Sequence, residues 1–227
     1  HLTTHYTSMN FRTIFEPFKI KSVEPISVTN EEQRIHHLKE AFYNPFKLKS
    51  EHVLIDLLTD SGTSAMSSKQ WSAMLDGDEA YAGSKSWLKM EEEIKDLTGF
   101  EHILPTHQGR AGERILYGYL GGKGKIFISN THFDTTRANI EFSGAEAIDI
   151  PIEESQHPLM YHPFKGDMDV MKLEQLIKEN GAENIGAVIL TITNNSGGGQ
   201  PVSMHNAERV SEICKQHKVL FILDCCR

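Results

Sequence analysis

The sequence predicts an α/β fold in which a mostly parallel sheet carries helices on both faces. From about residue 111 onward, short apolar runs alternate with longer segments that have helical periodicity. Strands separated by helices pair in parallel, because a connection that contains a helix returns the chain to the same end of the sheet. The length also fits, since 227 residues of which 39% are hydrophobic can bury a sizeable core.

The first part of the chain is predicted to be an extended arm followed by helices. Residues 18–25 have the composition of an extended, partly apolar arm. The spacing from Thr29 to Glu32 is that of a capping box and predicts a helix that runs to about Tyr43. A short run of β-type residues covers 53–58. Two further helices are predicted over residues 68–75 and 84–97.

The rest of the chain alternates regularly between the two kinds of element. Gly121 and Gly181 each follow a periodic segment, where glycine is the typical helix stop. The helices are predicted from residue 111, from residue 134, over 170–180 and over 204–217. The strands are predicted over 126–129, 146–150, 187–192 and 219–223.

Composition excludes several classes of function. The net charge is −8, the pI is near 5.8, and no basic stripe with interleaved aromatic residues occurs, which argues against a nucleic-acid partner. No run of about eighteen apolar residues occurs, so we expect no membrane partner. The three cysteines have no disulfide-framework spacing, which indicates a reducing and therefore cytoplasmic location. Among the twelve histidines no metal-ligand spacing occurs, and the Walker and dinucleotide fingerprints are absent.

A phosphate site is predicted where residues 105–110 enter the helix that follows, because unpaired N–H groups and the helix dipole both favour an anion there. Turns of this kind also begin many helices for purely structural reasons, and that alternative stays open. Asn195 and Asp224 each follow an apolar strand, so both are expected at the carboxyl edge of the sheet, where ligands gather. Pyridoxal phosphate needs such groups: donors for its phosphate, a donor near its phenolic oxygen and a carboxylate on its pyridine nitrogen.

Several motifs, in order along the chain, resemble those of tryptophanase and tyrosine phenol-lyase, the β-eliminating lyases that use pyridoxal phosphate. The resemblance covers nearly everything after about residue 18. Its motifs lie at residues 58–63, 77–83, 105–110, 133–136, 164–167, 193–203 and 224–227. It implies the large domain of aspartate-aminotransferase-like (fold type I) enzymes. Residues 1–58 would then be an arm and part of a small domain, and residues 59–227 an incomplete cofactor-binding domain.

The resemblance assigns cofactor-binding roles to six residues. Gln108, Gly109 and Arg110 would hold the phosphate. Phe133 would stack on the ring, Asn195 would bond the phenolic oxygen, and Asp224 would pair with the pyridine nitrogen. Simpler roles stay open, because an aspartate in the position of Asp224 can cap a helix and a phenylalanine is often part of a core.

The resemblance also implies groups that act on the substrate and a cation. Arg227 would lie beside the cofactor as a catalytic residue, and Tyr81, from a neighbouring subunit, would protonate the leaving aromatic group. Thr59 and Ser61 would hold the substrate carboxylate. Glu79 and the carbonyl of Gly62 would form part of a potassium site that orders the loop of Tyr81. Alternatively, Tyr81 could be an exposed turn residue without a catalytic role.

The activity implied is β-elimination of an aromatic amino acid to pyruvate and ammonia by a homotetramer built from dimers. Residues 133–136 and 191–195 favour tryptophan, since phenol-lyases carry threonine where Asp134 stands, whereas residues 77–83 and 166–169 favour tyrosine. The lysine that the family attaches to the cofactor lies downstream of the motif that ends at Arg227. Another enzyme of the same cofactor superfamily, or a cofactor-binding remnant without activity, therefore stays open.

Overall fold

The computed structural model describes residues 26–56 and 66–226. The chain divides between Ser86 and Trp87 into two units. The boundary near residue 58, drawn from the resemblance, stays a prediction. Among the helices described, none combines the length and apolar character needed to cross a bilayer.

The first unit begins with helix α1, Glu31–Glu40. Its capping box lies one residue later than predicted, because Asn30 accepts a hydrogen bond from the Gln33 backbone at 2.9 Å and the Gln33 side chain accepts one from the Asn30 backbone at 3.0 Å. The helix also ends earlier than predicted, since Phe42 and Tyr43 both have positive φ angles that a helix does not allow.

The strand predicted over residues 53–58 is wrong for its described part, residues 53–56, which form no strand. A short 3₁₀ turn, Ser50–His52, precedes them. Helix α2, Ser68–Leu75, has the predicted bounds and a capping box between Ser67 and Gln70. Helix α3, Lys85–Thr98, is shifted by one residue from its prediction.

The second unit contains the alternating elements in the predicted order. They are α4 (Gly109–Leu120), β1 (Ile126–Ser129), α5 (Asp134–Phe142), β2 (Glu146–Asp149), α6 (Val170–Asn180), β3 (Ile185–Thr191), α7 (Met204–His217) and β4 (Phe221–Asp224).

The four strands form one parallel sheet in the order β2-β1-β3-β4. In its register Ser129 pairs with Asp149 and with Ile189, while Thr191 pairs with Asp224. The carboxyl ends of all four strands therefore meet at one edge.

Helices cover both faces of the sheet, because successive residues of a buried strand point to opposite sides. On one face Val188 and Leu190 pack with buried residues of α6 and α7. On the other face Phe127 and Ile189 pack with buried residues of α4 and α5. The predicted α/β class, with helices on both faces, is confirmed.

Candidate functional site

A cavity of about 480 Å³ opens at the carboxyl edge of the sheet in the second unit. It is lined by one face of α4 and by the residues at which β3, β4 and the segment after β1 reach that edge. Five of the six predicted cofactor-binding residues line it: Gly109, Arg110, Phe133, Asn195 and Asp224. Gln108 is not among the lining residues; it is the N-cap of α4 and its side chain makes no capping hydrogen bond.

The start of α4 has the features of an anion site. The N–H groups of Ala111 and Gly112 donate to the carbonyl of Gln108, at 3.1 and 3.3 Å. Within the described residues, the N–H groups of Gly109 and Arg110 have no acceptor. A Cβ atom placed on Gly109 would have nothing within 4 Å, so a ligand can approach the backbone closely. Two unpaired donors, the helix dipole and the Arg110 side chain therefore converge on one side of the cavity.

Asp224 is the last residue of β4 and is half-buried. Burial raises its pKa, the negative charge of Glu113 raises it further, and hydrogen bonds from Cys226 only partly oppose these effects. Asp224 forms no ion pair with any residue in the described ranges. A carboxylate in this setting is suited to a cationic partner supplied by a ligand, such as a protonated ring nitrogen.

Glu113 and Tyr117 also line the cavity, although the sequence analysis gave them no role. Glu113 accepts hydrogen bonds from the hydroxyls of Thr135, at 2.7 Å, and Thr136. Burial raises the pKa of the Tyr117 hydroxyl, and the charges of Glu113 and Asp224 add to that effect. Helical spacing could have revealed both residues, because four-residue steps from Gly109 reach Glu113 and then Tyr117 on one helix face.

Two asparagines hold the strand ends that carry the site. Asn130 is buried; its amide nitrogen donates to the carbonyl of Thr191 at 3.1 Å, and its oxygen accepts from the Thr191 N–H at 3.0 Å. Asn194 is buried, donates to the carbonyl of Thr131, and accepts from the Ser196 N–H at 2.8 Å. These bonds fix the backbone on both sides of the segment that carries Asn195.

The cavity contains no lysine among the described residues that line it, and Arg110 is the basic side chain that reaches it. Lys165 lines two other cavities and donates to the carbonyl of His157 at 2.7 Å. The cavity also contains two thiols, Cys225 and Cys226. The third thiol, Cys214, is buried in the core, and burial raises its pKa to about 12.

The loop that carries Tyr81 and Glu79 belongs to the first unit, and both side chains are exposed. Asp78 closes this loop: its carboxylate accepts from the Ser84 hydroxyl at 2.8 Å and from the Lys85 and Ser86 N–H groups at 3.0 Å each. These hydrogen bonds, led by those from Ser86, hold the pKa of Asp78 well below its usual range. The loop is therefore anchored to the first turn of α3.

Four predicted site residues, Thr59, Ser61, Gly62 and Arg227, lie outside the described residues. In the ranges 26–56 and 66–226, no group of three or more histidine, cysteine or acidic side chains could hold a metal ion. The potassium site predicted at Glu79 and Gly62 stays a prediction.

Comparison with known proteins gives a consistent result. The family model described as beta-eliminating lyase matches residues 56–227. A tryptophanase from Hyphomonas neptunium is 54% identical over 95% of this chain and 47% of its own length. A tyrosine phenol-lyase from Clostridium tetani is 51% identical over 93% of this chain and 46% of its own. The chain thus spans about half the length of these relatives.

Solved structures match more distantly. A PLP-bound C-S lyase from Staphylococcus hominis is 17% identical and has a TM-score of 0.49, over 69% of this chain and 39% of its own.

Proposed function

The chain belongs to the beta-eliminating lyase family, and on that basis we propose that the protein at its natural length is a pyridoxal-phosphate carbon-carbon lyase acting on an aromatic amino acid. One observation carries the proposal: residues predicted to bind the cofactor, from four separate stretches of sequence, line a single cavity. The two relatives named above are a tryptophanase and a tyrosine phenol-lyase.

The residues of the cavity fit this cofactor. Gly109 and Arg110 would hold its phosphate, because their N–H groups lack an acceptor in the described chain. Asp224 would hold a proton on the ring nitrogen, since burial and the charge of Glu113 raise its pKa and it forms no ion pair with a residue in the described ranges. Asn195 would donate to the phenolic oxygen, and Phe133 would cover the ring. When bound, pyridoxal phosphate supplies an electron sink for the carbanion formed at the α carbon.

The remaining predicted residues would act on the substrate. Thr59 and Ser61 would hold its carboxylate, and Arg227 would lie beside the cofactor. Tyr81 would give a proton to the leaving aromatic carbon; full exposure of its side chain leaves the hydroxyl available to another subunit of a homotetramer. Glu79 and the Gly62 carbonyl would bind potassium and order the Tyr81 loop.

We propose tryptophan as the substrate, with indole, pyruvate and ammonia as products. Asp134 supports this choice, because phenol-lyases carry threonine at that position. Asp134 is exposed at the first turn of α5, next to Phe133, and its carboxylate accepts from the Thr135 N–H at 2.6 Å. Tyrosine is the alternative, supported by residues 77–83, and the tyrosine phenol-lyase named above is nearly as similar as the tryptophanase.

The test is to express the protein at its natural length, load it with pyridoxal phosphate, and measure indole from tryptophan and phenol from tyrosine. We expect indole, together with loss of cofactor binding in Arg110→Ala and Asp224→Asn. Arg209→Ala, an exposed arginine on α7, is the matched control and should bind normally. Release of phenol from tyrosine without release of indole from tryptophan would mean that tyrosine, not tryptophan, is the substrate. Failure to bind the cofactor would contradict the proposal and favour a remnant without activity.

A further inference from the structure

Glu113 connects the two parts of the cavity that the proposed function needs. It lies on α4, whose start is the candidate phosphate site, and its carboxylate reaches the first turn of α5. There it accepts hydrogen bonds from the hydroxyls of Thr135, at 2.7 Å, and Thr136. Phe133, which would cover the ring, occupies the N-cap of the same helix.

The side chains that form this connection are partly or fully shielded from water. Thr136 is 1% exposed, and Glu113 and Thr135 are half-buried. Water therefore competes poorly for these hydroxyl donors, and charge-assisted hydrogen bonds are stronger than neutral ones. The Phe133 side chain has no polar atom, so it makes no capping hydrogen bond to the start of α5. The link from Glu113 is thus one of the polar contacts that set the position of the α5 start relative to α4.

We propose that Glu113 is a positioning residue that fixes the start of α5, and with it Phe133, at the distance from the phosphate site that pyridoxal phosphate requires. The inference rests on the proposed function, because it takes the cofactor to span both parts of the cavity. Glu113 need not contact the cofactor to have this effect. It acts through Thr135 and Thr136.

Loss of Glu113 should affect the binding of two phosphate-containing ligands differently. Inorganic phosphate needs the start of α4 and not Phe133, whereas pyridoxal phosphate needs both. In the cofactor-free protein at its natural length, Glu113→Ala should weaken pyridoxal phosphate binding about tenfold, the equivalent of about 1.4 kcal/mol. Its affinity for inorganic phosphate, measured by competition, should change less than about twofold. Arg110→Ala should weaken both ligands.

A conservative variant distinguishes the hydrogen bonds from the charge. Glu113→Gln keeps an oxygen that can accept from a threonine hydroxyl but removes the negative charge near Asp224. We expect its affinity for pyridoxal phosphate to lie near that of the unmodified protein. If Glu113→Gln binds as weakly as Glu113→Ala, charge rather than positioning is responsible and the proposal is wrong.

Amide hydrogen exchange provides a readout that does not depend on the cofactor. Glu113→Ala should speed exchange in the first turns of α5, including the Arg137 N–H that donates to the Phe133 carbonyl at 2.9 Å, and leave α6 unchanged. Glu174→Gln changes a partly exposed glutamate of α6; it is the control and should leave α5 unchanged. Unaltered exchange in α5, or equal losses of phosphate and pyridoxal phosphate affinity, would overturn the proposal. If the unmodified protein binds no pyridoxal phosphate, the proposed function fails and exchange alone decides the role of Glu113.

Discussion

Asp224 and Asp149 end strands β4 and β2, and their surroundings change their pKa values in opposite directions. The pKa of Asp224 is raised, by burial and by the charge of Glu113. Burial also raises the pKa of Asp149. Hydrogen bonds from His132, at 2.6 and 2.8 Å, and the charge of Arg137 outweigh that effect, so the pKa of Asp149 is lowered. Asp149 is therefore paired within the described residues, whereas Asp224 forms no ion pair with any of them.

Replacing Asp224 should therefore stabilise the cofactor-free protein. A group whose pKa is raised by folding contributes stability below its unfolded pKa of about 3.9, and that contribution is lost as pH rises through the folded value. Asparagine does not titrate. Asp224→Asn should melt at a higher temperature than the unmodified protein near pH 7.5, and the difference should vanish toward about pH 4. The measurement is thermal unfolding of both proteins at both pH values. A lower melting temperature for Asp224→Asn than for the unmodified protein at pH 7.5 would contradict the prediction.

Asp149→Asn is the matched comparison, and its effect on the melting temperature should have the opposite sign. A lowered pKa contributes stability above the unfolded value, and this contribution is lost as pH falls through the folded value. The variant also weakens the bonds to the buried His132 ring and to Arg137. We expect it to melt at a lower temperature than the unmodified protein at pH 7.5, with the difference narrowing in acid.

At the scale of elements, strand β3 depends on a glycine. A Cβ atom at Gly186 would lie 2.6 Å from the ring of Phe127, which is fully buried. Gly186→Ala should destabilise the protein by about 1–3 kcal/mol, because the ring has no free space to move into. Gly118→Ala, on the exposed side of α4, meets nothing within 4 Å and should stabilise by about 0.5–1 kcal/mol through helix propensity. Denaturant unfolding of both variants checks the pair, and equal effects would contradict the packing argument.

At the scale of elements, Asp78 also holds the loop that carries Tyr81. Asp78→Ala removes the acceptor for the Lys85 and Ser86 N–H groups, so hydrogen exchange at these amides should accelerate. If Tyr81 delivers the proton to the leaving group, kcat for elimination should fall while cofactor affinity holds. Asp76→Ala, at the end of α2, is the control and should change neither. Unchanged exchange at Ser86 would show that the loop has another anchor.

Elements with both a periodic pattern and an end signal were predictable from the sequence. Helix α6 has its predicted bounds because Asp169 caps its start and Gly181 ends it with a positive φ. The run at 53–58 is short and lacks a periodic pattern, and its described part forms no strand. At residues 29–33 two overlapping capping boxes were possible, and only the geometry of Asn30 selects one.

At the scale of the whole molecule, parallel topology explains why so much of the cavity was predictable. Polar residues that follow different strands must meet at the carboxyl edge, so Asn195 and Asp224 come together although 28 residues separate them along the chain. Glu113 and Tyr117 escaped prediction because they reach the cavity from a helix face. Helical spacing places both residues on one face with Gly109, but their types are equally typical of a packing surface, so the spacing alone does not assign them to the cavity.

The 227-residue chain by itself should bind pyridoxal phosphate without forming a covalent bond to it. Its cavity has the features of an anion site and also a carboxylate, so we expect it to bind pyridoxal phosphate reversibly. Among the described lining residues there is no lysine, so no amine is placed to bond the cofactor or to remove the α proton. Borohydride treatment of the chain with pyridoxal phosphate should therefore fix no cofactor in the cavity, and tryptophan should yield no indole.

The control is the protein at its natural length, in which borohydride should fix about one cofactor per chain. Peptide mapping of the reduced samples locates any adduct. Scattered labelling of exposed lysines in the 227-residue chain is compatible with the prediction, since free amines react slowly with an aldehyde. A single adduct at Lys165, accompanied by indole release, would mean that the catalytic amine lies within these residues and that the wrong cavity was assigned.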